Sequence, residues 1–298
     1  MSTSRTFVAI LALAAAIALP GCDPGHANKA PTGNSDSGGA TQQAKAATWT
    51  LGGVPCCTLI AVPAVAPPVG TGACPGVRPG AIVLTDVGEC TLNFLFQGSD
   101  GNRYIGTAGH CILGSSPIGN GDVGETSWAP GKGPVARDSA GNRIGEFAYA
   151  ILQDPKDFSL VRLDAQTQAS AGMCVFGGPT GVNDDRPGLT QPVVLKWFGN
   201  GIVAGSTVPA RSAIAAGMPS PEHVFAQGAA TPGDSGSGVI SADGRAVGAL
   251  VTVGVHTGTL SLAGGDAGLV GITRLTPQVQ RAQQVLGTNL VLQSAPTQ

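Results

Sequence analysis

The stretch TPGDSGSGV, Thr231–Val239, sets three glycines, two serines and one aspartate side by side. Clusters of Gly and Ser punctuate loops in every kind of fold. The same composition suits a tight turn that holds one serine hydroxyl out for chemistry, because glycine opens backbone conformations closed to other residues. The rest of the chain decides between the two readings. A serine hydroxyl is a poor nucleophile near neutral pH. It needs a base, a group that orients the base, and donors for the negative charge that develops on the substrate.

The base should be a histidine, and the chain has four. His26 lies in a polar N-terminal stretch. His110 stands in IGTAGHC (105–111), after an apolar run and beside a cysteine that could pin it. His223, in PEHVF (221–225), reads as a surface-loop residue. His256, in VTVGVHTG (251–258), has two readings: a surface-loop residue, or a pocket residue facing an acidic substrate side chain. For the orienting acid, DFSLVRL (157–163) puts Asp157 at the entrance of an alternating strand. There it can be half-buried and still reach a histidine; it could equally be an acid guarding a sheet edge. Asp154 and Asp164 are its rivals.

The chain has 298 residues, 42% hydrophobic, 11% charged and 4% aromatic, with 46 Gly and 22 Pro. Short Val/Ile/Leu runs supply a sizeable core, and the low charge suits a surface of β-turns. A net charge of −2 without a basic run argues against nucleic acid as partner. Near the start, Arg5 precedes an apolar run, Phe7–Leu19. That run is short for a membrane span and right for the hydrophobic region of a signal peptide. It ends in LPGC (19–22), which resembles the lipobox of bacterial lipoproteins, with Pro20 where a small residue is usual. Two fates are open: lipidation of Cys22 with membrane attachment, or cleavage of an ordinary secretory signal nearby. Residues 1–21 are thus expected to be a signal peptide and 22–48 a flexible tether with almost no large apolar side chain. Residues 49–78 form a Cys/Pro-rich arm or pro-segment, and 79–298 the folded domain. Beyond Cys22 there are six cysteines: Cys56, Cys57, Cys74, Cys90, Cys111 and Cys174. In an exported chain an even number reads as disulfides. No CxxC pair with matching histidines suggests a zinc site.

From Pro79 onward, short apolar runs alternate with turn signals. AIVL (81–84), TLNFLF (91–96), RYIGTA (103–108), IGEFAYAIL (144–152), FSLVRL (158–163), PVVLKWFG (192–199), GIVAGSTV (201–208), GSGVIS (236–241), AVGALVTVGV (246–255) and GLVGI (268–272) all read as strands. GSDGN (98–102), DSAGN (138–142) and SADGR (241–245) read as turns with a left-handed Gly or Asn. The class is all-β, a sandwich or barrel. One helix is expected over TPQVQRAQQVLG (276–287): Thr276 as cap, Pro277 at the first position, Gly287 just past the end. Val279, Ala282, Val285 and Leu286 share one face of it.

TAGHC, DFSLVRL and GDSGSG, in that order, resemble the three signature segments of chymotrypsin-like (trypsin-fold) serine peptidases. The resemblance runs from about Arg78 to Thr288. It implies two packed six-stranded antiparallel β-barrels with a C-terminal helix and a catalytic triad in the cleft between them. It implies Ser235 as nucleophile, His110 as general base and then acid, and Asp157 as the group that orients and steadies the imidazole. The backbone N–H groups of Gly233 and Ser235 would form the oxyanion hole. Asp234 resembles a buried family carboxylate that needs a partner, with Arg162, Arg186 and Arg211 as candidates. The resemblance also implies a Cys90–Cys111 bridge pinning the histidine loop and a Cys74–Cys174 bridge from arm to inter-barrel linker. Cys56 and Cys57 are left without an assigned partner.

Ala229, six positions before Ser235, resembles the base of the primary specificity pocket, with Ala230 beside it. Neither carries charge, so an apolar or small substrate side chain is expected rather than Arg or Lys; His256 keeps the acidic option open. The resemblance implies a polypeptide substrate outside the cytoplasm, no metal or cofactor, and a monomer. An inactive binding or adhesion module on the same fold is the competing reading. A tethered N-terminus argues against activation by a newly freed chain end.

Overall fold

The computed structural model describes residues 74–114, 123–153, 155–187, 191–201, 209–215, 221–253 and 268–298. The signal, the tether, most of the arm, Cys22, Cys56, Cys57, Asp154, all but the first residue of the expected strand at 201–208, and His256 lie outside the described residues.

Fifteen strands and two helices are described. They form two sheets, each curled around its own core. The first holds β1 (Ile82–Leu84), β2 (Glu89–Thr91), β3 (Leu95–Gly98), β4 (Arg103–Thr107), β5 (Gly124–Ser127), β6 (Val135–Arg137), β7 (Arg143–Gln153) and β8 (Lys156–Leu163). β15 (Leu290–Leu292) joins it from the far end of the chain. The hydrogen-bonded order is β15-β3-β4-β8-β7-β6-β1-β2, with β5 on β7. β2 and β3 behave as one strand bent at residues 92–94. Leu92 N–H bonds the Ala81 carbonyl at 2.8 Å on one side, and Asn93 N–H bonds that of Gly106 at 2.7 Å on the other. Counted that way, β1, β2/β3, β4, β8, β7 and β6 close a six-stranded ring, with β5 and β15 as additions at its rim.

The second sheet is a closed barrel of β9 (Val193–Phe198), β10 (Ala210–Ala215), β11 (His223–Gly228), β14 (Gly268–Arg274), β13 (Ala246–Val253) and β12 (Gly238–Ser241). All pairings between named strands in both sheets are antiparallel. Phe94, Phe147, Phe158 and Leu160 fill the first core, and Trp197, Val239, Leu250 and Ile272 the second. Each such side chain contributes about 1.5–3 kcal/mol on burial. The three expected turns have left-handed glycines: Gly101 at φ 82°, Gly141 at 83° and Gly244 at 82°.

Two local expectations change. β8 does not alternate between a buried and a wet face, since Asp157 through Val161 are all buried. It lies inside the sheet between β4 and β7, and its outer face is covered too. The C-terminal helix, α2, is Leu275–Leu286; the only other described helix, α1, is the single turn His110–Leu113. The N-cap of α2 is Arg274, in extended conformation and without a side-chain cap bond. Thr276 is inside the helix, its hydroxyl 2.6 Å from Asp184 Oδ1, so it does not cap. Gly287 does close the helix, at φ 64°. Among the described residues no helix is long and apolar enough to cross a membrane.

Among the described residues there are two disulfides. Cys90–Cys111 ties β2 to α1, and Cys74–Cys174 ties the end of the arm to the segment between the barrels.

Candidate active site

His110 opens α1 directly after β4 and is 7% exposed. Its position follows from its neighbours. Thr107 Oγ1 donates to the Thr91 carbonyl at 2.9 Å, and Cys111 is bridged to Cys90 on β2. Gly109 lies against β7, where a Cβ would run into the Ile151 carbonyl and come 3.1 Å from Asp157 Oδ1. Asp157, 8% exposed, then meets His110 twice: Oδ2 is 2.7 Å from Nδ1, and Oδ1 accepts the His110 backbone N–H at 2.9 Å. One carboxylate therefore fixes both the ring and the backbone of the histidine. It also fixes the tautomer, since a carboxylate oxygen accepts and Nδ1 must donate. Burial pulls the His110 pKa down, but the charge and hydrogen bond of Asp157 outweigh it, and the net pKa lies above that of a free histidine. Asp157 is no edge guard, because β8 is an interior strand. Asp164 is engaged elsewhere, paired with Arg143 at 2.8 Å.

Ser235 sits in the turn before β12, half-buried. Gly233 takes φ 101° and Gly236 φ 85°, both in the left-handed region that favours glycine. A Cβ on Gly236 would meet Thr107 Oγ1, the Thr91 carbonyl and, at 2.8 Å, Ala108 N. The turn from the second barrel thus packs against the residues just before His110 on the first. Thr91 clamps it from both sides: its Oγ1 donates to the Gly233 carbonyl and its N–H to that of Ser235, each at 2.8 Å. The Asp234 carbonyl accepts from Ser237 N–H at 3.0 Å and from Ser237 Oγ at 2.6 Å. A trans peptide points its N–H opposite its carbonyl. Hence the Ser235 N–H is turned away from Ser237, and among the described residues it donates no backbone bond.

Asp234 is fully buried beneath this turn. It accepts from Thr231 N–H and Gly201 N–H, at 2.8 Å each, and pairs with Arg211 Nη1 at 3.1 Å. Of the three arginines, the structure selects Arg211; Arg162 pairs with Glu146, and Arg186 is exposed. Burial pushes the Asp234 carboxyl up, with Arg211 and the two N–H donors opposing. Arg211 Nε and Nη2 are buried without a partner among the described residues.

Ala229 is half-buried just past β11, whereas Ala230, at 5% exposure, belongs to the core of the second barrel. His223 overturns its sequence reading: it is a strand residue on β11, 7% exposed, and not part of a surface loop. Val224 and Ala226 beside it carry β11 into the core. The sulfurs of Cys90 and Cys111 lie near His110, but both are spent in the disulfide. Thr91, Thr107 and Gly109 were not singled out from sequence; only the TAGHC motif hinted at the last two.

No family model matches the chain, and no curated protein does. Among solved structures it is similar to a glutamic acid specific serine protease, at 18% identity and TM-score 0.48, covering 72% of this chain and 100% of that one. It is similar to Thermobifida fusca protease A at 14% and 0.47, covering 73% and 99%. A Nocardiopsis protease follows at 16% and 0.48, covering 72% and 98%. The fold is the two-barrel trypsin fold. That follows from the closed second barrel, the ring completed by β2/β3 and the C-terminal helix.

Proposed function

We propose that the chain is an exported serine endopeptidase that cleaves polypeptides through Ser235, His110 and Asp157. The observation that carries this reading is the doubly bonded His110–Asp157 pair, with the Ser235 turn packed against the same loop. Ser235 Oγ attacks the scissile carbonyl and passes its proton to His110 Nε2. Asp157 holds Nδ1 and stabilises the imidazolium. His110 then protonates the leaving amine, and water, activated by the same imidazole, frees the acyl group from Ser235. The N–H groups of Gly233 and Ser235 hold the oxyanion in both steps.

The Arg211–Asp234 pair supports a turn organised from within the chain, so activity is expected without a freed N-terminus. Ala229 favours an apolar or small residue before the scissile bond. Residues 1–22 support export, with lipidation of Cys22 as the means of attachment. A fluorophosphonate probe tests the chemistry. Wild type should label covalently and Ser235→Ala should not. Equal labelling of both, or of neither, overturns the proposal, as does activity abolished by a chelator.

A further inference from the structure

His223 lies close to Asp157, and none of the chemistry above uses it. Its Nδ1 is 3.4 Å from the carbonyl oxygen of Pro155, which enters β8 two residues before Asp157. A carbonyl only accepts, so Nδ1 carries the proton and Nε2 of the neutral ring is an acceptor. Next to it, just before β11, the Glu222 carboxylate is 3.9 Å from the Lys156 ammonium. Successive residues of the second barrel thus engage successive residues at the start of the strand that carries Asp157. Directly across the sheet from His223 is Thr273 on β14. His223 Nε2 and Thr273 Oγ1 are both buried without a partner among the described residues. Residues opposite one another on antiparallel strands project to the same face. A leucine at 223 would avoid the cost of an unpaired buried nitrogen.

We propose that His223 is a positioning residue for Asp157: as a neutral imidazole fixed in the second barrel, it holds the Pro155–Asp157 entrance of β8 across the barrel interface and so sets the hydrogen bond that Asp157 accepts from His110. Burial is the main reason that its pKa falls to about 4, with the Pro155 carbonyl and the Asp157 charge opposing. The charged groups around it are Lys156 and Asp157 on β8 and Glu222 just before its own strand; Thr273 faces it from β14. His223 therefore stays neutral throughout the range in which His110 titrates.

The rate consequence rests on the peptidase reading; the geometric one does not. The test compares His223→Leu with His223→Asn, whose amide nitrogen can replace Nδ1 as donor to Pro155. In a Ser235→Ala background, NMR follows the His110 titration and its low-field Nδ1–H proton. In the Ser235 form, kcat/KM follows the chemistry. His223→Leu should lower the His110 pKa, weaken the low-field signal and reduce kcat/KM by about tenfold, as small displacements of catalytic groups do. His223→Asn should restore all three. If Leu lowers Tm but leaves the His110 titration and kcat/KM unchanged, His223 is packing only and the proposal falls. It falls also if Leu and Asn behave alike. Should the Leu variant not fold, nitrogen shifts of the wild-type His223 ring still decide: a proton on Nε2 rather than Nδ1 overturns the proposal. Absence of hydrolysis by wild type would sink the peptidase reading and leave the NMR comparison standing.

Discussion

Arg211→Met tests the internal pairing of the Ser235 turn. Removing one member of a buried ion pair costs about 3–5 kcal/mol, because the remaining charge is stranded. Here Asp234 keeps two backbone donors at 2.8 Å, and Arg211 offers a single 3.1 Å contact rather than a fork. The low end applies, about 3 kcal/mol. For a domain of this size that is roughly 6–12 °C in Tm. The pH dependence has a definite sign. The folded pKa of Asp234 lies above its unfolded value, mainly through burial. A carboxyl shifted upward favours the fold when protonated, and that contribution is lost as pH rises through the folded pKa. Losing Arg211 moves the pKa further up, so the variant's deficit should be larger at about pH 8 than at about pH 5. Circular dichroism melts at the two pH values read this, with fluorophosphonate labelling rate as a measure of the turn. The double variant Arg211→Met/Asp234→Asn should regain more than half of the lost Tm. A single variant that melts with wild type at both pH values and labels at the wild-type rate would refute the pairing as the support of the turn.

Two further outcomes are expected. Asp157→Asn removes the charge and the tautomer control at His110; kcat/KM should fall by about 10⁴-fold. With only burial left to act on His110, the acid limb of the kcat/KM profile should move to lower pH, and an unmoved limb would contradict the assigned pair. Gly109→Ala drives a methyl into the Ile151 carbonyl, which backbone cannot easily yield. It should cost about 1–3 kcal/mol of stability and slow labelling, and wild-type behaviour in both would show that β7 and α1 are not held this closely.

The strands that sequence made visible are those with dense Val, Ile, Leu or Phe, such as β7, β8 and β13. β10, ARSAIA, and β11, HVFAQG, carry Ala, Gln, His and Arg instead. Strand preference is largely a matter of neighbours, and these strands are strands because the barrel closes around them. β15 is three residues whose partner, β3, lies far back in the chain at Leu95–Gly98, a pairing that local pattern cannot encode. The site divides in the same way. His110, Asp157 and Ser235 sit in motifs with fixed local chemistry. Arg211 is chosen from three arginines only by distance to Asp234. The PEHVF setting of His223 reads as a surface loop, although the side chain ends in the protein interior.

Thr91 shows why such residues matter to the chemistry. His110 and Asp157 stand on the first barrel; Ser235 and the buried Asp234 stand on the second. A strand threonine has no motif, yet this one bonds the carbonyls of Gly233 and Ser235 and accepts, at the same Oγ1, the Asn200 N–H at 3.2 Å. Those contacts fix the turn of one barrel against a strand of the other. His223 and Glu222 reach back the opposite way, from the second barrel to the start of β8. Each barrel thus holds the part of the site carried by its partner. The distance from Ser235 to His110 is then a property of the interface, so a substitution that loosens either clamp should slow acylation while both barrel cores remain folded.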